Sequence, residues 1–530
     1  MKPLLQILTL LLLTAPISAQ TSTSSSPPSQ PNIVFIFSDD HAPHAIGAYG
    51  SRYGDLDPTP NIDQLASQGM LFRNSFCTNS ICGPSRAVIL TGKHSHVNGF
   101  MANGNRFNGD QVTFPKLLQK VGYQTAMIGK WHLHTDPQGF DYWDILPGQG
   151  DYYNPDFISA AGKRQVEGYC TDLITDMAID WMEQQRQDGK PFLLMAQHKG
   201  PHRNWMPPLR YLDLYDDVEL PVPDTLFDDY ADNASPASGQ EMEIDRHMNA
   251  AYDLFLDPRE DTISGIATDK SGFRNLKKMT PQQLATWKAA YADENKEFYE
   301  TNPKGDDLVR WKYQRYMKNY LRTAKAVDDS VGRIVKYLED AGLAENTIVV
   351  YASDQGFFLG DHGWYDKRWM YEESLKMPLV VRWPGQVSAG IVNEQLVQNL
   401  DYAPTFLQAA GAEVPDAMQG MSLLPLLRGD AENDGNSGAD VSWRDAIYYH
   451  YYGFPDVHKV QRHYGIRTDR YKLIRYYQVG EWEMFDLKND PDELNNLYLQ
   501  PEYRDLAVKL AQQLGVLQQQ YEDNSAEDVK

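Results

Sequence analysis

Four oxygen-bearing side chains follow two apolar segments of the sequence. Asp39 and Asp40 come just after the run IVFIF, and Asp354 and Gln355 come just after TIVVY. Together they offer only oxygen ligands, which hard cations such as Ca²⁺ and Mg²⁺ prefer. Any one of them could instead be a solvated turn residue or a helix cap, but that alternative weakens when the four are taken together. The set therefore predicts a binding site for one hard cation.

The most specific segment runs from Cys82 to Lys93 and reads CGPSRAVILTGK. A cysteine near an arginine means little alone, because a buried cysteine often serves as a small apolar residue. Here the cysteine, a rigid proline and Arg86 are followed by Leu-Thr-Gly-Lys. With Cys77 and Cys170, the chain has an odd number of cysteines, so at least one is unpaired or chemically special.

Further basic residues stand in short polar segments. Lys130 and His132 in GKWH are two apart, so in an extended segment both side chains would face the same way. His198 and His202 bracket the segment HKGPH, and Lys367 opens KRWM. Each of these residues, taken singly, is more often a surface or packing residue than a catalytic one.

Two clusters combine basic and aromatic side chains in an otherwise acidic protein. They are the run Arg203, Asn204 and Trp205, and the group His458, Lys459, Arg462, His463 and Tyr464. A local positive patch can bind an anion even when the net charge repels it, and aromatic faces suit sugar rings. An ordinary exposed loop explains these residues equally well. His198 has two readings of equal weight: it lines a substrate pocket, or it satisfies a backbone group.

The order of these segments resembles the type I sulfatases, in which the cysteine of C-x-P-S-R is converted to formylglycine. The resemblance spans the chain and rests on PNIVFIFSDDH, CGPSRAVILTGK, GKWHL, HKGPH, SDQGFFLGDHG, DKRWMYEESLKMPLVVRWPG, DYAPTFLQAAG, QGMSLLPLL, GIRTDRYKLI and DLKNDPDELNNL. It implies hydrolysis of a sulfate ester on a polysaccharide or a glycosaminoglycan fragment. It also implies that a formylglycine-generating enzyme matures the protein.

The resemblance assigns a calcium site and a nucleophile. Asp39, Asp40, Asp354 and Gln355 match the calcium ligands, together with the modified Cys82, although the fourth position is more often Asn than Gln in this family. The cation and Arg86 would stabilise the nucleophile, because positive charge beside a hydroxyl lowers its pKa.

The same resemblance assigns roles to the basic residues. Lys130 and Lys367 match the two lysines that hold the sulfate, and His132 matches the base that helps to expel it. His202 matches the histidine that protonates the departing alcohol.

Two other functions remain open. Phosphodiesterases and phosphonate monoester hydrolases of the same superfamily also use a C-x-P-S-R formylglycine, and a secreted glycan-binding protein could keep a degenerate site. The GKWH segment and the region around Lys367 favour a sulfatase over the first, and the competent side chain at every matched position disfavours the second.

These residues need a scaffold that brings strand ends together. The runs at 33–37, 192–196, 347–351 and 379–382 are apolar on both faces, which is typical of buried parallel strands. Residues 320–341 have apolar positions every three or four residues, which predicts a helix. We therefore expect an α/β fold with a large, mainly parallel sheet between helices, of the alkaline phosphatase-like type that the resemblance implies, and sites at the carboxyl ends of its strands.

The rest of the chain divides by composition. Residues 1–19, MKPLLQILTLLLLTAPISA, are typical of a signal peptide, and 20–31 of a disordered leader. We expect a catalytic domain over 32–428, with a polar insertion at about 221–304, and a small α+β subdomain over 441–522. The protein would then be exported, to the periplasm or beyond, without a stable membrane anchor. With 49 Lys and Arg against 72 Asp and Glu, the formal charge of −23 disfavours nucleic acid as a partner.

Overall fold

The computed structural model describes residues 30–256, 275–429 and 443–525. The predicted signal peptide and the predicted leader up to residue 29 lie outside these ranges. The strands are β1 (Asn32–Ser38), β2 (Met70–Phe72), β3 (Ser75–Phe76), β4 (Gln124–Lys130), β5 (Tyr142–Leu146), β6 (Asp156–Ser159), β7 (Gly162–Gln165), β8 (Phe192–Gln197), β9 (Thr347–Ser353), β10 (Phe358–Leu359), β11 (Tyr365–Asp366), β12 (Leu379–Arg382), β13 (Ile391–Asn393), β14 (Val397–Gln398), β15 (Ala446–Tyr451), β16 (His463–Thr468), β17 (Tyr471–Tyr476) and β18 (Glu481–Asp486). The α-helices are α1 (Pro60–Ser67), α2 (Cys82–Thr91), α3 (Ser95–Asn98), α4 (Phe114–Lys120), α5 (Cys170–Asp180), α6 (Ser235–Gly239), α7 (Ile244–His247), α8 (Pro281–Ala290), α9 (Ala292–Thr301), α10 (Asp306–Asp340), α11 (Glu372–Leu375), α12 (Tyr402–Ala409), α13 (Leu424–Arg428) and α14 (Arg504–Gln520).

A ten-stranded sheet forms the centre of the molecule, in the order β13-β2-β12-β9-β1-β8-β4-β5-β6-β7. Its middle strands, from β9 to β5, all run parallel. Antiparallel pairings join β12 to β9 and β2 on one side, and β6 to β5 and β7 on the other. The prediction of a large, mainly parallel sheet is therefore confirmed.

Helices cover both faces of this sheet. In β1, Phe35 points to a cluster that includes Phe406 of α12, whereas Ile36 points to a cluster that includes Ile174 of α5 and Val331 of α10. Successive side chains of a strand point to opposite faces, so a strand covered on both sides must be apolar throughout. This requirement explains the runs IVFIF, FLLMA and TIVVY.

The strand β12 corrects one expectation from the sequence. The run at 379–382 forms a strand as predicted, but it is antiparallel to β9, with Leu379 opposite Ala352. Its carboxyl end therefore lies at the other edge of the sheet, and Trp383, Pro384 and Gly385 follow it away from the candidate site. Hydrophobic pattern reveals a buried strand but not its direction.

One predicted helix is longer in the structure than in the sequence pattern, and the predicted insertion contains helices where it is described. The long helix α10 starts at Asp306, fourteen residues before the predicted start, and buries Tyr313 and Tyr316 along the added turns. The predicted insertion at about 221–304 contains α6 to α9, and its described residues, 221–256 and 275–304, contribute no strand to the sheets.

The C-terminal region forms a separate antiparallel sheet in the order β15-β16-β17-β18. Helix α14 packs on it through Leu510 and Leu514, against Tyr448, Ile466 and Leu473. This arrangement confirms the smaller α+β subdomain. Among the helices of the described ranges, none combines the length and the apolar character that a membrane crossing requires.

Candidate active site

The predicted oxygen ligands meet at the carboxyl ends of two adjacent parallel strands. Ser38, the last residue of β1, is in register with Ser353, the last residue of β9. The residues that follow each strand therefore converge, and carboxylate oxygens of Asp39, Asp40 and Asp354 lie within 4.8 Å of one another. All three side chains are fully buried.

Two buried oxygens in this cluster lack a hydrogen-bond partner among the described residues, and they are Asp39 Oδ1 and Gln355 Oε1. The amide nitrogen of Gln355 donates to Asp40 Oδ1, which leaves its carbonyl oxygen free to bind a cation. Three carboxylates and an amide oxygen are a suitable donor set for Ca²⁺ or Mg²⁺. The residues therefore fit the cation that the sequence predicts.

Each carboxylate of the cluster also contacts a basic residue. Lys130 Nζ contacts Asp39, Lys367 Nζ lies 2.7 Å from Asp40, and Arg86 Nη2 lies 2.9 Å from Asp354 Oδ2. Burial raises the pKa of Asp40 to about 7, and Asp354 adds to the shift while Lys367 opposes it. A divalent cation would stabilise the charged form of these carboxyl groups.

Cys82 begins the buried helix α2. Arg86 follows four residues later, so both side chains lie on one face of the helix. The backbone N–H of Gly83 donates to Asn103 Oδ1 at 3.0 Å, which secures this first turn. A helix N-terminus favours negative charge, so it suits a nucleophile that becomes anionic.

The unmodified thiol of Cys82 is a weak nucleophile in this setting. Burial is the main cause that raises its pKa to about 11, and Asp354 and Asp40 contribute while Lys367 opposes them. A thiol with this pKa is protonated at neutral pH. Cys77, Cys82 and Cys170 are all free thiols, so no disulfide joins Cys77 to Cys170.

Arg86 links the nucleophile helix to three strands. Its Nη1 donates to Gln197 Oε1 at 2.6 Å and to the carbonyl oxygen of Lys130 at 2.7 Å. The guanidinium also lies 4.9 Å from the centroid of the Phe37 ring. The sequence did not predict this contact between Gln197 and Arg86. Gln197 stands at the end of a buried strand, where site residues are expected, and that position could have pointed to it.

Lys130 and His132 reach the region between the carboxylate cluster and Cys82, here called the cavity, by a turn, whereas the sequence suggested an extended segment. Strand β4 ends at Lys130, and His132 has a φ of +57°. Gly129 before them has a φ of +104°, and a side chain there would collide with the carbonyl oxygen of Gln197. Burial, together with the charges of Lys130 and Arg86, holds the pKa of His132 well below its usual value.

His202 presents one ring nitrogen to the cavity. Its Nδ1 contacts the carbonyl oxygen of Arg203, which can only accept, so Nδ1 carries the proton. Its Nε2 lies 3.8 Å from Asp40 Oδ2, and one of its ring nitrogens lies within 4.8 Å of Cys82 Sγ and a carboxylate oxygen of Asp39. Burial and the charge of Lys130 lower the pKa of this imidazole.

The structure places three of the predicted substrate contacts among buried core side chains. His198 points away from Gln197, as alternation along the chain requires, and its Nε2 contacts Ser330 Oγ at 2.9 Å. Trp205 packs on Tyr316 with ring centroids 4.3 Å apart. His463 packs among aromatic rings of the C-terminal sheet, and all three side chains are fully buried.

Arg203 and His458 border the site and are held by carboxylates that the sequence interpretation missed. Arg203 forms a bidentate pair with Asp253 at 2.7 and 2.8 Å, and His458 Nε2 contacts Asp366 Oδ2 at 3.0 Å. Asp366 precedes Lys367, so this network reaches the catalytic cavity.

Two further residues belong to the same surroundings. Arg368, which follows Lys367 in the sequence, also contacts Asp366. Arg462 is half-buried, and its charge acts on His450 and Tyr477 of the C-terminal region.

Comparison with known proteins agrees with this geometry. Residues 31–412 match the family model Sulfatase, and residues 360–520 match the model N-sulphoglucosamine sulphohydrolase, C-terminal. The chain is 49% identical over 504 residues to an N-acetylglucosamine-6-O-sulfatase of Bacteroides thetaiotaomicron, covering 94% of this chain and 88% of that protein.

Solved structures show the same fold. One, in complex with its substrate D-glucosamine-2-N,6-O-disulfate, has a TM-score of 0.88 and 47% identity, covering 94% of this chain and all of that chain. A phosphonate monoester hydrolase of Agrobacterium radiobacter has a TM-score of 0.66 at 20% identity, covering 93% and 96%, which shows a shared fold alone. The family model spans most of the sequence and the site has the matching residues, so this chain belongs to the sulfatase family and is a sulfuric ester hydrolase.

Proposed function

We propose that this protein removes the 6-O-sulfate from a glucosamine unit of a glycosaminoglycan, with formylglycine at position 82 and one Ca²⁺. The observation that carries the proposal is the placement of Cys82 at the start of α2, within 4.8 Å of Asp39 and His202. The 49% identical N-acetylglucosamine-6-O-sulfatase and the relative that binds D-glucosamine-2-N,6-O-disulfate support this substrate class.

Asp39, Asp40, Asp354 and Gln355 would hold the cation, with the modified side chain at position 82. When bound, the cation supplies positive charge beside the nucleophile and the sulfate. The hydrate of formylglycine supplies two hydroxyl groups, one to attack sulfur and one whose deprotonation releases sulfate. The buried thiol, with its raised pKa, would be a poor substitute.

The chain's own cations then surround the sulfate. The ammonium of Lys130 contacts Asp39, and the ammonium of Lys367 contacts Asp40. From these positions both lysines would bind sulfate oxygens. Arg86 holds Asp354 and lies four residues from the nucleophile, so it favours the anionic form of that group. Each cation is fixed before substrate arrives, which is the arrangement that stabilises developing charge most strongly.

Two histidines divide the proton transfers. With the proton on Nδ1, the Nε2 of His202 carries none, so it takes a proton from solvent water. It then donates this proton to the sugar oxygen as the bond between that oxygen and sulfur breaks. His132 accepts a proton from the second hydroxyl when sulfate leaves. Such positioned acids and bases typically contribute about 100-fold to 10,000-fold each.

The experiment that tests the function is turnover of a panel of defined substrates. We expect activity on 6-sulfated N-acetylglucosamine and on N,6-disulfated glucosamine, and at least about 100-fold less on a phosphodiester of similar size. Cys82→Ala is the matched control and should remove activity from every substrate. Preferred turnover of the phosphodiester would replace this proposal with the phosphodiesterase alternative.

Maturation and location complete the proposal. A formylglycine-generating enzyme would oxidise Cys82, and mass spectrometry of the peptide that contains position 82 detects the aldehyde or its hydrate. An unmodified thiol in fully active protein would refute this part.

Residues 1–19 support export to the periplasm or beyond, and protease treatment of intact cells expressing the full chain tests this.

A further inference from the structure

Lys199 has an almost enclosed ammonium group to which the mechanism above assigns no role. It lies in the turn between β8 and His202, and the residue is only 4% exposed. Its Nζ lies 4.7 Å from the centroid of the Tyr152 ring. No described residue lies within hydrogen-bonding or ion-pairing distance of this ammonium, and a buried charge without a partner costs free energy.

The loop at 149–152 joins Lys199 to the catalytic residues. Tyr152, whose ring contacts Lys199, donates its hydroxyl to the carbonyl oxygen of His202 at 2.5 Å. Gln149 in the same loop contacts Nζ of Lys130. Lys199, Lys130 and His202 are therefore linked through this one loop.

Several neighbouring groups act electrostatically on the ammonium of Lys199. The titratable groups that act on its ammonium include Cys170, Asp151, Asp40 and Cys82. Its charge in turn acts on Lys130 and His202.

Lys199 also differs from the other cations of the cavity in having no carboxylate partner. Lys130 pairs with Asp39, Lys367 with Asp40 and Arg86 with Asp354. Of these four cations, Lys199 alone has a positive charge that no carboxylate within 4.0 Å balances. The partner that suits it is an anion brought by the substrate.

We propose that Lys199 is a further sulfate-binding residue, whose ammonium donates to a non-bridging oxygen of the sulfate while the sulfur lies beside position 82. This inference rests on the proposed function and deepens it. The sulfate is the anionic group that must approach Cys82, whereas a sugar hydroxyl would leave the charge of Lys199 unbalanced.

The first test measures binding of inorganic sulfate by calorimetry, or by inhibition of turnover if the heat is too small. Lys199→Met should weaken sulfate binding by about tenfold to 100-fold, the usual effect of a lost hydrogen bond to a charged group. Lys199→Arg should retain much of the affinity. Lys336→Met is the control, because it removes one charge from an exposed ion pair on α10 and should leave sulfate affinity unchanged.

The second test compares substrates and stability. Lys199→Met should lower kcat/KM by a similar factor for an aryl sulfate and for 6-sulfated glucosamine, since both carry the same sulfate. It should not lower the melting temperature, because an unpaired buried charge is removed.

Three results would overturn the inference. They are an unchanged sulfate affinity, a loss confined to the saccharide, and a lower melting temperature with sulfate binding intact, which would make Lys199 a structural partner of Tyr152. Sulfate binding is measured without turnover, so wild-type protein that binds sulfate but hydrolyses no sulfated glucosamine would refute the proposed function alone.

Discussion

One ring nitrogen of His202 is held by a backbone carbonyl group, and the other ring nitrogen lies near Asp40. The carbonyl oxygen of Arg203 holds its Nδ1, so Nε2 is the atom that can exchange a proton with substrate. His198, four residues earlier, is fully buried, and its Nε2 contacts Ser330 Oγ at 2.9 Å. These contacts favour His202 over His198 as the proposed donor of the leaving-group proton.

His202→Ala should separate leaving groups by their basicity. An aryl sulfate releases a weakly basic phenoxide that needs little protonation, so its kcat should change little. A saccharide sulfate releases a strongly basic alkoxide, so its kcat should fall about 100-fold or more. Steady-state kinetics on both substrates measure the difference. Lys367→Ala is the control: it should slow both substrates, because the proposed contact of Lys367 is to the sulfate that both carry. Equal slowing of the two substrates by His202→Ala would contradict the assignment of His202 as the general acid.

Removal of the metal should destabilise the folded protein as well as inactivate it. Asp39, Asp40 and Asp354 repel one another when charged, and a bound cation offsets this repulsion. A cation at a free concentration about 100 times its Kd adds about 2.7 kcal/mol to the free energy of unfolding. Chelation should therefore lower both the melting temperature and the activity. Elemental analysis identifies the ion, and full activity in demonstrably metal-free protein would show that the site assignment is wrong.

The segment between β10 and α11 positions Lys367 and contains a buried ion pair of its own. His362 Nδ1 lies 2.8 Å from Asp228 Oδ2, and this aspartate belongs to the polar insertion. Burial alone would lower the pKa of His362, but Asp228 and then Glu373 and Glu493 outweigh burial and raise it to about 9. The pair therefore holds the insertion against the segment that leads to Lys367.

This pair predicts how stability depends on pH. The folded-state pKa of His362 lies above its ordinary value of 6.5, so the contribution of the pair is complete below about pH 6.5 and is lost as pH rises through about 9. Asp228→Asn should lower the free energy of unfolding by about 3 kcal/mol at pH 6, and by progressively less above pH 9. Denaturant unfolding of both proteins from pH 6 to 10 measures this, and a constant difference across the range would exclude the linkage.

The two parts of the molecule meet around the loop that follows Lys367. Tyr449 of β15 donates its hydroxyl to the carbonyl oxygen of Arg368 at 3.1 Å. Lys472 of β17 is fully buried and lies 2.9 Å from Glu372 Oε1 and 2.7 Å from Glu493 Oε1. The C-terminal sheet thus supports one wall of the catalytic cavity through buried charges.

Lys472→Met should show how strongly these parts depend on each other. The change leaves the buried carboxyl of Glu493 without its cation, and breaking a buried pair from one side usually costs about 3–5 kcal/mol. The double variant Lys472→Met with Glu493→Gln should recover part of this loss. Lys336→Met, which breaks an exposed pair, should change stability by less than about 0.5 kcal/mol. Thermal unfolding measures all three, and a loss for Lys472→Met as small as that of the control would refute the argument.

Local pattern alone was sufficient for the central strands and for the convergence of the acidic residues that follow them. The apolar runs of β1, β8 and β9 must be covered on both faces, and parallel strands end at one edge, so Asp39 and Asp354 had to meet. The C-x-P-S-R motif and its companion segments predicted Cys82 as the position of the nucleophile. These features are encoded within a few consecutive residues each.

Only the tertiary structure decided the features that depend on direction and on distant partners. The direction of β12, the helical start at Cys82 and the burial of Trp205 follow from neighbours far away in sequence, which no local pattern contains. The same holds for Lys199, an ordinary lysine in sequence. Lys199 stands out because carboxylates lie beside the other cations of the site and not beside Lys199. The balance of charges in a buried site depends on the whole fold, so no local pattern reveals it.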